Sequence, residues 1–145
     1  MRLNTASGII SFVRQLESDG AEFYESLSRH HDQFSETFLA LARENKKNIS
    51  EVERAYYSVI TDAIEGCFSF DLETDPYTFD KNSADPGDFR GNVSKALEIE
   101  DKITGFYLDA ANQSGRLMAD VPRVFKLIAR KRGSRPSKLN SLEVI

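Results

Sequence analysis

One short pattern occurs twice in this chain, each time inside an apolar helical stripe. Glu17-Ser-Asp-Gly-Ala-Glu-Phe23-Tyr24 and Glu100-Asp-Lys-Ile-Thr-Gly-Phe106-Tyr107 both place a tyrosine two helical turns after a glutamate. Carboxylate and phenol then lie on one face of their helix, among apolar neighbours. A carboxylate on a buried stripe needs a partner that offsets its desolvation. The repeat therefore reads as two copies of one helix, and finding the partner of each carboxylate largely decides the function.

The apolar spacing predicts four helices. The first runs from Thr5 or Ser7 to His30, with Ile9, Phe12, Val13, Leu16, Gly20, Phe23, Tyr24 and Leu27 on the face that carries Glu17. The second starts at Ser35 as N-cap and continues through Phe38, Leu41, Ala42, Ile49, Val52, Tyr56 and Ile60 to Ala63 or Glu65. Asn45 and Asn48 interrupt its stripe, and their spacing lets both point into the core. The third covers Val93 to Gln113, with Ala96, Leu97, Glu100, Ile103, Tyr107 and Ala110 on one stripe and Gly115 as its stop. The fourth is short: Asp120 caps it, Pro122 fits its first turn, Val121, Val124, Phe125 and Ile128 form its face, and Gly133 and Pro136 end it. Arg132 continues that face, while Arg135 falls at the fraying end. Residues 66–92 read as a crossover connection and 136–145 as a C-terminal tail; no strand is predicted. The resulting class is all-α, a four-helix bundle in one domain over 1–145, with one long crossover between helices two and three.

A chain of 145 residues can hold such a core without staples, and Cys67, the only cysteine, cannot form an internal bridge. A lone cysteine, no apolar run of membrane-span length and no signal-peptide core predict a soluble, cytoplasmic protein. Net charge is −4 but uneven. Acids crowd Asp71 to Asp88, whereas Arg123, Lys126, Arg130, Lys131, Arg132, Arg135 and Lys138 form a basic stretch without an acid. That stretch either complements a helix C-terminus or engages an acidic partner, nucleic acid being the less favoured one. Asp71, Glu73 and Asp75 imitate the start of a calcium loop, but Pro76 stands where that loop wants glycine.

The two halves resemble those of rubrerythrin-type members of the ferritin-like superfamily, over about residues 5–135. In that family each half has a glutamate seven residues before a tyrosine, then a Phe-x-x-x-Ala segment leading into Glu-x-x-His, and the six side chains hold two iron or manganese ions. Phe38 to Ala42 and Phe125 to Ala129 supply the lead-in segments, and Glu17 and Glu100 match the isolated glutamates. The first Glu-x-x-His falls on Asn45 and Asn48, the second on Arg132 and Arg135. Glu44 lies one position off with no histidine after it, and His30 and His31 fall beyond the plane of the site. Tyr24, Tyr107 and Glu98 flank it.

Charge makes the substitution reasonable. Four glutamates and two neutral histidines balance two divalent ions, whereas two glutamates, two asparagines and two arginines are neutral without any ion. A guanidinium stays protonated when buried and pairs carboxylates through a rigid fork. The resemblance thus implies a bundle whose metal centre has become a Glu-Asn-Arg network, with no catalytic residue, no metal and a homodimer through helix faces. The alternative is an iron or manganese oxidoreductase or peroxidase using residual carboxylates. A third reading is a module whose basic C-terminal segment binds an acidic partner. Tyr56, Tyr57, Phe68, Phe70, Tyr77 and Phe79 either pack over the bundle or form a contact surface.

Overall fold

The computed structural model describes residues 1–59, 70–114 and 120–143. Helix α1 spans Ala6–His30, α2 Ser35–Val59, α3 Phe89–Ser114, α4 Asp120–Arg132 and α5 Arg135–Asn140. The chain is all-α as expected, and none of the described helices is long and apolar enough to cross a membrane. The expected end of helix two at Ala63 or Glu65, its stripe residue Ile60, the stop at Gly115, Cys67, Phe68 and the start of the crossover lie outside the described residues.

Helix directions follow from the side-chain pairings. Along α1, Arg14, Glu17 and Glu25 meet Glu53, Asn48 and Lys46 of α2, so these helices are antiparallel. Glu17 and Tyr24 meet Tyr107 and Glu100 of α3, again in reverse order. Glu100 and Tyr107 meet Arg132 and Phe125, which makes α4 antiparallel to α3. Both α2 and α3 oppose α1 and so run the same way, and the link between them must return along the helices. Its described part does so, starting near the head of α1, where the Phe70 N–H donates to the Asn4 carbonyl at 3.2 Å. Further on, Tyr77 packs edge-on against Phe106 at 5.1 Å and Lys81 pairs with Glu22 at 2.7 Å. Asp85 finally bonds Asn92 at the head of α3.

Apolar side chains from all four long helices fill the space between them. Phe23, Leu27, Phe38, Ile103, Phe106, Phe125 and Ile128 have no solvent exposure. Each such burial stabilises by roughly 1.5–3 kcal/mol relative to exposure. Thr5 caps α1, its hydroxyl accepting from the Gly8 N–H at 3.0 Å, a contact of about 1 kcal/mol.

Several local expectations are corrected. Ser35 is itself helical (φ −52°, ψ −47°), because a 3₁₀ turn at Asp32–Phe34 leads straight into α2 and leaves no capping position there. Helix α3 starts earlier than Val93, at Phe89, since the Asp88 carboxylate accepts from the Gly91 N–H at 2.9 Å. A strand pair exists where none was predicted: β1, Arg2–Leu3, pairs antiparallel with β2, Leu72–Glu73. Two residues are too few to show alternation, yet Leu3 and Leu72 are buried and the terminal ammonium reaches Glu73 at 2.7 Å. The C-terminal tail is not a tail in its described part. Gly133 ends α4 as predicted, but Pro136 sits in the first turn of α5, and a 3₁₀ turn follows at Ser141–Glu143. Leu139 anchors that segment with no exposure. Among the aromatics in and near the crossover, Phe70 and Tyr56 are buried, Tyr77 and Phe79 pack on the core, and Tyr57 is 65% exposed.

Candidate functional site

Each tyrosine of the repeat crosses to the other half. The Tyr24 hydroxyl donates to Glu100 Oε2 at 2.7 Å, and the Tyr107 hydroxyl donates to Glu17 Oε2 at 2.6 Å. Antiparallel packing of two helices with the same glutamate-to-tyrosine spacing makes this exchange reciprocal. Both carboxylates are buried, Glu17 fully and Glu100 to 2% exposure.

Arg132 lies between them. Its Nη1 donates to Glu100 Oε1 at 2.6 Å and its Nη2 to Glu17 Oε1, so one guanidinium bridges the two carboxylates. Arg135 adds a second cation on Glu100, with Nη1 2.9 Å from Oε2. The expectation of a fraying Arg135 is therefore wrong, for it is 1% exposed. The turn at Gly133 and Ser134 breaks the helix and starts α5 with Arg135 directed inward. The same turn divides the predicted basic stretch. Arg132 and Arg135 are inside, Lys131 reaches Glu51 of α2 at 3.5 Å, and Arg123, Lys126, Arg130 and Lys138 remain exposed.

Asn45 and Asn48 close the network from α2. Asn45 Oδ1 accepts from Arg135 at 2.7 Å and from Arg132 at 3.2 Å, while its Nδ2 donates to the Glu17 carbonyl at 3.3 Å. Asn48 Nδ2 donates to Glu17 Oε2 at 3.3 Å. Neither asparagine is exposed. Gly20 makes room for Asn45, since a Cβ there would stand 2.7 Å from Asn45 Nδ2. Asn48 Oδ1, Arg132 Nε and Arg135 Nε are buried and take no protein hydrogen bond among the described residues.

The electrostatics follow from these contacts. Burial drives the Glu17 carboxyl above its ordinary range, and Arg132 and Tyr107 offset this only in part. Burial acts on Glu100 too, but Arg132 and Arg135 together outweigh it and hold that carboxyl below its ordinary range. Burial works against the charge on Arg132, yet Glu17 and Glu100 overcome it and hold the guanidinium firmly protonated. Tyr24 and Tyr107 are pushed well up by burial and by the carboxylates they face, so both phenols are neutral donors.

Six predicted positions, Glu17, Asn45, Asn48, Glu100, Arg132 and Arg135, thus meet in one hydrogen-bonded cluster with Tyr24 and Tyr107. Glu98 does not join it. It is 68% exposed and pairs with Lys102 at 3.6 Å, because a residue two positions from Glu100 projects from the opposite side of the helix. Glu44, one position off the family pattern, is a member: its Oε1 accepts from Arg135 Nη2 at 3.1 Å and carries the network towards the surface. The acids that imitate a calcium loop face cations instead, Asp71 pairing with Arg2 and Glu73 with the terminal ammonium. His31 stands apart, at the end of α1, beside Asn92.

A position shared by two opposed carboxylates could hold a cation, and here a guanidinium fills it. Among the described residues no group of three or more His, Cys, Asp or Glu is arranged to hold a metal ion. Comparisons with family models, with curated proteins and with solved structures find no match for this chain.

Proposed function

We propose that the chain is a ferritin-like bundle of the rubrerythrin type in which an internal ion-pair network stands where that family holds two metal ions, and that it serves as a non-catalytic structural or binding protein. The observation that carries this reading is Arg132, whose guanidinium lies between Glu17 and Glu100 and bonds both. A fixed cation there repels a divalent ion from the place where ligands would have to converge. The residues present do not fit iron or manganese: asparagine amides and arginines occupy the positions that the resemblance assigns to Glu-x-x-His. The same substitution leaves no evident agent for peroxide or oxygen chemistry at this cluster.

Metal analysis of protein produced with excess iron and manganese tests the reading, with none retained after dialysis as the expected result. The combined variant Asn45→Glu, Asn48→His, Arg132→Glu, Arg135→His restores the family pattern and is expected to retain metal. Stoichiometric metal in the parent chain, released only on unfolding, overturns the proposal.

A further inference from the structure

Asn92, in the first turns of α3, has no solvent exposure and holds the end of the crossover at two points. Its Oδ1 accepts from the Asp85 N–H at 2.9 Å, and its Nδ2 donates to the Asp85 carbonyl at 2.8 Å. This double contact fixes which end of the amide is nitrogen, because a flipped side chain would set donor against donor and acceptor against acceptor. The same Nδ2 lies 2.9 Å from Nε2 of His31, at the end of α1. An amide nitrogen can only donate, so Nε2 has to carry a lone pair and the imidazole proton has to sit on Nδ1.

We infer that His31, Asn92 and Asp85 form a clasp that ties the crossover to the helices when His31 is neutral and releases it when His31 gains a proton. A protonated ring places one N–H against another, which removes a hydrogen bond and adds a repulsion. The ring stands among aromatic side chains and one other histidine. Phe89 of α3 meets it edge-on at 4.9 Å, Phe38 of α2 lies at 6.4 Å, and His30 of α1 stands at 6.4 Å. The crossover carboxylates are engaged elsewhere, Asp85 Oδ1 with the Gly87 N–H and Asp88 Oδ1 with the Gly91 N–H. Asp32 and Arg90 are exposed and of opposite sign, and Arg29 precedes His30 on α1. Burial, then His30, holds the His31 imidazole below its ordinary range. His31 also borders a cleft of about 510 Å³ with Phe34, Phe89, Arg90 and Leu142, which gives protons a route to the ring.

The sign follows from the lowered value. The clasp contributes fully above the ordinary histidine value of 6.5 and loses hold as the pH falls through the native one. Upstream anchors, including Lys81 on Glu22, do not depend on histidine, so release is confined to the stretch around Asp85.

Nitrogen-15 NMR of the imidazoles and native-state hydrogen exchange at the Asp85 amide test the clasp. Near neutral pH the His31 ring is expected in the Nδ1–H form. The Asp85 protection factor, corrected for intrinsic exchange, is expected to fall about tenfold on acidification through the His31 titration. His31→Gln keeps an acceptor for Asn92 and should make that protection independent of pH over the same range. Asn92→Asp offers a carboxylate to the imidazolium and should raise the His31 titration midpoint. An Nε2–H tautomer at neutral pH, or an unchanged fall in protection in His31→Gln, overturns the inference.

Discussion

Replacing Arg132 with methionine keeps most of its volume and removes the charge that Glu17 and Glu100 share. The two carboxylates are not left in equal positions. Glu100 retains Arg135 at 2.9 Å and the Tyr24 hydroxyl, whereas Glu17 keeps hydrogen bonds from the neutral donors Tyr107 and Asn48 and feels Arg135 only without direct contact. A buried charge stripped of its counterion costs about 3–5 kcal/mol, a large part of the roughly 5–15 kcal/mol that holds a domain folded. Glu17, already raised by burial, rises further in the variant, so the penalty grows as pH climbs above the ordinary carboxylate value. Urea unfolding followed by helical circular dichroism should therefore show a deficit of about 3–5 kcal/mol near pH 7 and a clearly smaller one near pH 5. Adding Glu17→Gln removes the orphaned charge and should recover about half of the loss. A loss of only a few tenths, an equal loss at both pH values, or simple additivity in the double variant would refute the reasoning.

Two glycine substitutions should differ in sign. Gly20→Ala sets a methyl group 2.7 Å from Asn45 Nδ2 and 3.4 Å from Ile103, and overpacking should outweigh the gain in helix propensity by about 1 kcal/mol or more. A Cβ at Gly105 meets nothing within 4 Å, so Gly105→Ala should stabilise by about 0.5–1 kcal/mol; thermal melts of the two variants check both values. Acid stability should depend on Glu100, whose lowered native value makes its contribution present above the ordinary carboxylate range and lost as pH falls through the native value. Urea midpoints of Glu100→Gln should accordingly vary less with pH below about 4.5 than those of the parent chain. At the alkaline end, Tyr24 and Tyr107 favour folding up to the ordinary phenol range, and that contribution is lost as pH rises through their elevated native values. Their phenolate absorbance should appear together with loss of helical signal, not before it.

The helices and most of the cluster were legible because an apolar stripe of helical period reports which way each side chain points. Glu17, Asn45, Asn48, Glu100 and Arg132 all lie on such stripes, and the repeat marks Tyr24 and Tyr107 as flanking the site, though not that each pairs with the glutamate of the other half. Arg135 was not legible in this way. It follows Gly133 and Ser134, and once a turn resets the helix axis the phase of α4 no longer says where the next side chain projects. Glu44 was missed for a related reason: it sits beside the stripe at 36% exposure and is drawn in only because Arg135 reaches for it. Glu98 is close to Glu100 in sequence, but two positions along a helix put it on the opposite face. The β1–β2 pair is too short for any periodic signal.

The cluster is symmetric in its tyrosines and glutamates but not in what neutralises them. Both amides come from the first half and both guanidiniums from the second, so Glu100 touches two cations and Glu17 one, and their carboxyls shift in opposite directions. At Glu17 burial outweighs the pull of Arg132, so desolvation is offset only in part there. Buried ion pairs of this kind often add no net stability over apolar residues of similar volume. What they are expected to add is register, because sliding one helix by a turn would set charges against Phe, Leu and Ile. Replacing the whole set, with methionine at Glu17, Glu100, Arg132 and Arg135, leucine at Asn45 and Asn48, and phenylalanine at Tyr24 and Tyr107, is therefore expected to leave the unfolding free energy within about 1–2 kcal/mol of the parent or above it. The same variant should show broadened or multiple side-chain methyl resonances, since several packings become close in energy. A loss of several kcal/mol with sharp, single resonances would mean that the network supplies stability and not registration.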